Sequence, residues 1–380
     1  MVGVSEPLSL DGQQIYRALS DADATEATAF LAGGLEPLAA RQHYLRDISQ
    51  ASLRLESATA AAGQSPAARN LATLSAGLPV YAGEVETARA DNRLGYPLGA
   101  AYLREASGLM RGSLLPAARD VSGEANSQLA AASGKATGLP LALILLVAAA
   151  VVGYALFRAQ RWLYRHTHRV LNPGLVVASV AAIISVLWLV IALSVARADM
   201  LQARAQGSAP VAALAQADIA ALRAHADESL TLIDAGGDDS FQADFLAVQH
   251  NLGPGPGTLL TSAVTAARGS PGARAAAAAA TTATSWYRVH RTVRFLDDNG
   301  KHVQAVRLVT TPGPDHSGTL FTRLDGSLTR AIAADQAVFQ ANAVAGRNAF
   351  TGLEVGVIVL ALIMAAGCAR GLTKRLAEYR

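Results

Sequence analysis

Apolar residues in the first third of the chain recur three and four positions apart, which is the period of helices packed side by side. Stretches 8–31 and 96–132 complete the pattern, with glycine- and proline-containing breaks between the four segments. We therefore predict an up-and-down four-helix bundle over residues 1–137. Two apolar registers carry this prediction: Leu38, Leu45, Ile48 and Leu55 in one segment, and Leu71, Leu74, Leu78, Tyr81, Val85 and Ala88 in the next.

The scheme recurs in residues 197–351. The segment Thr231–Gly237 parallels Thr28–Gly34, and Trp286, Val289, Val293 and Leu296 keep a helical spacing. The pattern predicts a second four-helix bundle that arose by duplication, with longer loops rich in glycine and proline.

Three apolar segments lie outside the bundles, at 139–157, 174–196 and 352–369. The first two are uncharged and long enough to span a bilayer, and the third reaches spanning length across a single acid, Glu354, so three transmembrane helices are predicted. A basic hairpin at 158–173 and a basic tail at 370–380 indicate cytoplasmic connections, so both bundles are expected outside the cell. The predicted fold class is therefore an all-α, multi-pass plasma-membrane protein. Nothing near residue 1 would export the first bundle, so a fourth span is expected upstream.

Chemical motifs add little to this picture. Only 16% of residues are charged, the formal net charge is +3 and there is a single cysteine. Disulfides and nucleic-acid binding are not expected. The common catalytic, nucleotide-binding and metal-binding motifs are missing from the sequence, which predicts no enzymatic activity, no cofactor and no metal site.

Two groups of charged residues are candidates for binding. Arg41 lies in an apolar register and Glu354 lies near the outer end of the third apolar segment, so either could contact a ligand or a partner. The alternatives are a snorkelling or salt-bridged arginine for Arg41 and a nearby aqueous interface for Glu354. A basic set could contact lipid headgroups or a cytoplasmic partner: Arg158, Arg161, Arg165, Arg169, Lys374 and Arg375.

The opening VSEPLSLDGQQIYRALSDADATEATAFLAGG, the alanine-rich composition and the duplicated plan resemble the GlnX-type integral membrane proteins of actinobacteria. That resemblance implies four spans and a signal relay. Its expected partners are an extracytoplasmic lipoprotein that binds glutamate or aspartate and a cytoplasmic serine/threonine protein kinase.

The preferred function is therefore a relay without catalysis of its own. The alternative is an accessory or scaffold subunit of a transporter or cell-envelope complex. A transporter in its own right is disfavoured, because the apolar segments lack interior charges and broken helices. Homo-oligomerisation stays open.

Overall fold

The computed structural model of the chain describes residues 2–63, 65–136, 173–203, 209–234 and 239–376, together with Gly237 and a few positions between 147 and 161. In these parts of the chain every regular element is a helix. The all-helical class is confirmed. Residues 1–133 and 208–336 form one compact unit, and residues 134–207 with 337–380 form another.

The N-terminal module of the first unit, residues 2–133, is built from long helices. Gly33 and Gly34 follow the first helix with φ of 71° and 64°, in the left-handed region where glycine is favoured. Gly63 and Gly95 also have positive φ and lie at the next two turns. The helices are α1 (Val2–Ala32), α2 (Leu38–Ala62), α3 (Ala67–Arg93), α4 (Leu98–Leu109), a π turn (Met110–Leu114) and α5 (Leu115–Ala136).

The core of this module lies between α1, α2, α3 and the segment from α4 to α5. The register predicted for α3 is confirmed, because all six of its apolar members are buried. The register predicted for α2 is wrong in part, since Leu38 and Leu45 are 70% and 48% exposed. The buried face of α2 keeps Leu55 from that register and otherwise consists of Tyr44, Asp47 and three alanines, Ala51, Ala58 and Ala62.

The C-terminal module, residues 209–336, contains more helices than the predicted four. Glycine and proline at 253–257 and again at 269–272 interrupt what would otherwise be longer helices. The elements are α7 (Ala209–Ile233), α8 (Ser240–Leu252), α9 (Leu259–Ala266), α10 (Ala273–Asp298), α11 (His302–Thr310) and the start of α12 (Ser317–Leu376). Trp286 and Phe245 are fully buried in its core, with ring centroids 5.7 Å apart.

The second unit contains α6 (Pro173–Ala203) and the remainder of α12. Among the residues that the structure describes, no helix combines the length and the apolar character needed to cross a membrane. Our predicted fold class included three transmembrane helices, and this finding contradicts that part of the prediction. The segment 174–196 lies in α6. The segment 352–369 lies in α12, contains Glu354 and has fewer than the roughly 20 consecutive apolar residues that a span needs. Most of 139–157 lies outside the described residues.

Close packing between α1 and α5 generates the first testable prediction. A Cβ at Gly12 would lie 2.9 Å from the backbone nitrogen of Ser122, and backbone cannot rotate away. We expect Gly12→Ala to lower the free energy of unfolding by about 1–3 kcal/mol. Gly83→Ala, at a helical position with nothing within 4 Å of the added Cβ, is the matched control. It should raise stability by about 0.5–1 kcal/mol.

Urea denaturation of the two variants beside the parent chain checks this prediction. Equal effects of the two substitutions would show that α1 and α5 are not in close contact at Gly12.

Candidate functional site

Helices α1 and α7 lie side by side and join the two modules into one unit. We call this contact the seam. Small side chains allow the close approach: Ala24 of α1 belongs to the core of the C-terminal module, and Ala27 packs with Leu230 of α7. The seam therefore joins the two hydrophobic cores through one pair of helices.

The ion pairs between the two modules all have the same polarity. In the described residues, arginines of the N-terminal module meet acids of the C-terminal module. Arg17 of α1 donates to Asp218 at 2.7 Å and to Asp325 at 3.2 Å. Arg104 pairs with Asp234, and Arg111 of the π turn pairs with Asp227. This polarity favours one pairing of the modules, because like charges at the same positions would repel.

Uncharged polar groups complete the seam. The Thr28 hydroxyl lies 3.0 Å from His225 Nε2 and 3.0 Å from the Ser229 hydroxyl. His225 stacks on Phe321 with ring centroids 3.8 Å apart. Such buried groups need partners because desolvation without a hydrogen bond is costly, so these contacts fix the rotation of α1 against α7.

Arg111 lies close to two buried acids, one from each module. Asp227 pairs with it from the C-terminal module, and Asp23 Oδ2 lies 3.8 Å from its Nε while Asp23 Oδ1 accepts from Ser107 at 2.7 Å. Burial raises the pKa of Asp227 to about 6 even though Arg111 lowers it, and burial also raises the pKa of Asp23. One guanidinium does not compensate two desolvated carboxylates.

A second cluster lies where α1 meets α2, one turn along α1 from Arg17. His43 Nε2 lies 3.2 Å from Asp21 Oδ2 and 3.3 Å from Asp47 Oδ2. His43 and Asp47 are four residues apart on α2, so both side chains lie on one helix face. In the described part of the chain, these three residues are the group whose ligand atoms could hold a metal ion.

The C-terminal module buries one further charged group. Glu228 accepts hydrogen bonds from Ser317 at 2.5 Å and Trp286 Nε1 at 3.3 Å, and it lies 2.9 Å from His290 Nδ1. Burial alone would raise the pKa of Glu228, but hydrogen bonds and charge from His225 and His290 hold it well below its usual range. These contacts position α10 against α7.

The loops at the end of the N-terminal module, between α1 and α2 and between α3 and α4, expose large apolar side chains. Asn92 Nδ2 donates to the Phe30 carbonyl at 2.9 Å, and Arg89 Nε lies 2.8 Å from Glu36, which holds the two loops together. Clustered exposed apolar side chains are typical of protein interaction sites. The exposed members are Leu35 at 86%, Leu38 at 70%, Leu94 at 66%, Tyr96 at 57% and Leu98 at 57%; we call them the apolar loops.

Arg41 lies beside these loops and is salt-bridged, to Glu86 at 3.5 Å and Glu36 at 3.9 Å. The same two acids contact the buried Arg89, so Arg41 lies at the rim of an internal ion network. The predicted role of Arg41 in binding a ligand or partner stays a prediction.

The remaining predicted residues belong to the second unit. Glu354, Lys374 and Arg375 belong to α12. Arg158 and Arg161 are exposed, whereas Arg165 and Arg169 lie outside the described residues.

Sequence reasoning missed the seam residues and the cluster at Asp21. The i, i+4 spacing of His43 and Asp47 was a readable signal, but a histidine and an acid one turn apart are common on exposed helix faces. The pairs Arg17–Asp218 and Arg111–Asp227 had no local signal, since each joins residues more than a hundred positions apart.

Residues 1–134 match the family described as the actinobacterial sensor domain. The match covers the N-terminal module, including α1, the apolar loops and the cluster of Asp21, His43 and Asp47. Comparison with curated proteins and with solved structures gives no match. A sensor domain of this family suggests a role in sensing or signalling.

The seam generates a prediction at Arg111. Replacing Arg111 by methionine keeps much of the apolar stem but leaves Asp23 and Asp227 buried without a cation. We expect Arg111→Met to lower the free energy of unfolding by roughly 3–5 kcal/mol. Arg119→Met is the control, because the Arg119 side chain is 72% exposed and its Nε lies as far as 4.0 Å from the carboxylate of Asp120. Its effect should stay within about 0.5 kcal/mol.

Urea denaturation at neutral pH distinguishes these outcomes. A similar small loss in both variants would mean that the seam does not depend on the Arg111 ion pairs.

The pKa values of the two acids at Arg111 generate a pH prediction. Asp227 has a pKa of about 6 in the folded chain against 3.8 for the unfolded reference, so the folded state holds protons that the unfolded state has released. The free energy of unfolding should therefore rise as the pH falls from about 6 towards 4.

Removing one acid tests the cause of this rise. Asp23→Asn, which retains an acceptor for Ser107, should reduce the rise, whereas Asp120→Asn at an exposed position should leave it unchanged. Urea midpoints measured across this pH range give the comparison. An unchanged slope in Asp23→Asn would contradict the shared-cation explanation.

Proposed function

We propose that this chain is a sensory module without enzymatic activity, which receives its signal by docking a partner protein on the apolar loops. The match of residues 1–134 to the actinobacterial sensor domain carries the proposal. The position of Leu35, Leu38 and Leu94 supports it, because burying these exposed side chains under a partner would favour binding.

The resemblance of the N-terminal sequence to GlnX-type proteins supports a finer version. In that version the partner is a lipoprotein that binds glutamate or aspartate, and the response is received by a serine/threonine protein kinase. The proposed site of action is the plasma membrane, with membrane lipids nearby. No catalytic step and no nucleic acid enters this proposal.

The seam offers a way to pass the signal on. Helix α1 ends at Ala32, beside the loop that carries Leu35, and the same helix presents Arg17 and Thr28 to the C-terminal module. A partner that displaces this loop on binding would also displace α1. Packed interfaces held by discrete ion pairs change between distinct arrangements. A small shift of α1 would therefore change the position of α7.

A scaffold is the second candidate, and the seam supports it as well. Buried pairs such as Arg111 with Asp227 favour one fixed arrangement of the modules, which suits a subunit that only positions other proteins. Ligand dependence separates the two candidates, because a scaffold would hold its partners equally with and without the amino acid.

Crosslinking of the full chain in its native cell envelope tests the proposal. We expect a solute-binding lipoprotein and a protein kinase to be recovered, with at least one contact changing when glutamate or aspartate is added. Leu35→Glu and Leu94→Glu should reduce recovery of the lipoprotein, because a buried charge opposes docking. Leu53→Glu is the matched control, since Leu53 is 65% exposed but lies midway along α2.

Two results would count against the relay. Recovery of transporter or envelope subunits that ignores the amino acid would support the scaffold. Equal recovery with Leu35→Glu and Leu53→Glu would show that the apolar loops are not the docking surface.

A further inference from the structure

We propose that Asp21, His43 and Asp47 form a binding site for a divalent transition-metal ion such as Zn²⁺. The inference is independent of the proposed function, because it rests on the geometry of these side chains alone. Asp21 is supplied by α1, and His43 with Asp47 by one face of α2. One imidazole and two carboxylates form a donor set that suits Zn²⁺, Co²⁺ and Mn²⁺.

The distances between donor atoms match a metal-centred arrangement. Ligand atoms at about 2.0–2.2 Å from a tetrahedral ion lie roughly 3.3–3.6 Å from one another. The His43 nitrogen lies 3.2 Å and 3.3 Å from the oxygens of Asp21 and Asp47, and the two oxygens lie within 4.8 Å of each other. A small inward movement of one carboxylate would complete the geometry.

Hydrogen bonding inside the cluster leaves one atom without a partner. The Nε2 of His43 carries at most one hydrogen, and the hydrogen-bond geometry favours Asp21. Asp47 is 9% exposed, and its Oδ2 is buried with no hydrogen-bond partner although it faces His43. A buried carboxylate oxygen without a partner is costly, and a cation at the centre of the cluster would remove that cost.

The surrounding charges leave room for a cation. Asp218 and Asp325 approach from the C-terminal module, which brings four carboxylates to this end of the seam. Arg17 is the nearest guanidinium, and its two shortest contacts go to Asp218 and Asp325, with Asp21 at 3.8 Å. Arg46, the other nearby cation, is exposed on α2. Asp21 and Asp47 therefore share the imidazole of His43, and the guanidinium of Arg17 comes no nearer to Asp21 than 3.8 Å.

The site is open on one side. The side chain of His43 is 44% exposed, whereas those of Asp21 and Asp47 are 12% exposed. Solvent could reach a bound ion past the imidazole and fill a fourth position, as in zinc sites with three protein ligands. A bound ion would link α1 to α2 one turn from Arg17, which pairs with Asp218 across the seam.

Metal titration of the full chain tests the proposal. The protein is stripped with a chelator and titrated with Co²⁺, whose visible absorption reports a low-coordinate nitrogen and oxygen site, and then with Zn²⁺ as competitor. We expect a single equivalent to bind and zinc to displace cobalt. His43→Gln and Asp47→Asn should bind at least about tenfold more weakly, the scale of loss found for groups that merely support a metal ligand.

His250→Gln provides the matched control, since His250 is exposed on α8 away from the cluster. It should bind like the parent chain. Far-UV circular dichroism and the urea midpoint without metal confirm that each variant is folded, and the exposure of His43 makes His43→Gln safe in this respect.

Two outcomes would overturn the proposal. The first is no cobalt spectrum and no uptake of zinc, which would leave His43 as a protonated bridge between two acids. The second is uptake that His43→Gln and Asp47→Asn leave unchanged, which would locate the metal elsewhere. Neither outcome bears on the docking of a partner at the apolar loops, so this inference and the proposed function can fail separately.

Discussion

The contact between α1 and α7 is the constraint on which the rest of the first unit depends. Two alanine-lined helices come close enough for Arg17 and Arg111 to reach acids of the opposite module. Buried charges of this kind are stable only with their partners in place. The relative placement of the two modules is therefore held by discrete ion pairs.

The N-terminal module combines this rigid seam with two exposed features. The apolar loops are the proposed docking surface, and the Asp21 cluster is the proposed metal site. Both lie on or next to α1, the helix that also carries Arg17. Under the two proposals above, α1 would connect a docked partner and a bound ion to the C-terminal module.

Much of the helical organisation could be read from the sequence, but the packing faces could not always be. The α3 register was correct because large aliphatic residues mark its buried side. On α2 the leucines misled, because Leu38 and Leu45 face solvent while alanines and Tyr44 pack inward. Hydropathy also overestimated the apolar segments of α6 and α12, which do not form membrane spans in the described residues.

By itself the sequence determined the helical class and the glycine-marked turns, because these depend on local periodicity and backbone freedom. Only the tertiary structure decided which charges meet. The distance along the chain from Arg17 to Asp218, or from Asp21 to His43, carries no periodic signal. Those pairs exist because helix packing brings distant side chains together, and desolvation then makes their pairing obligatory.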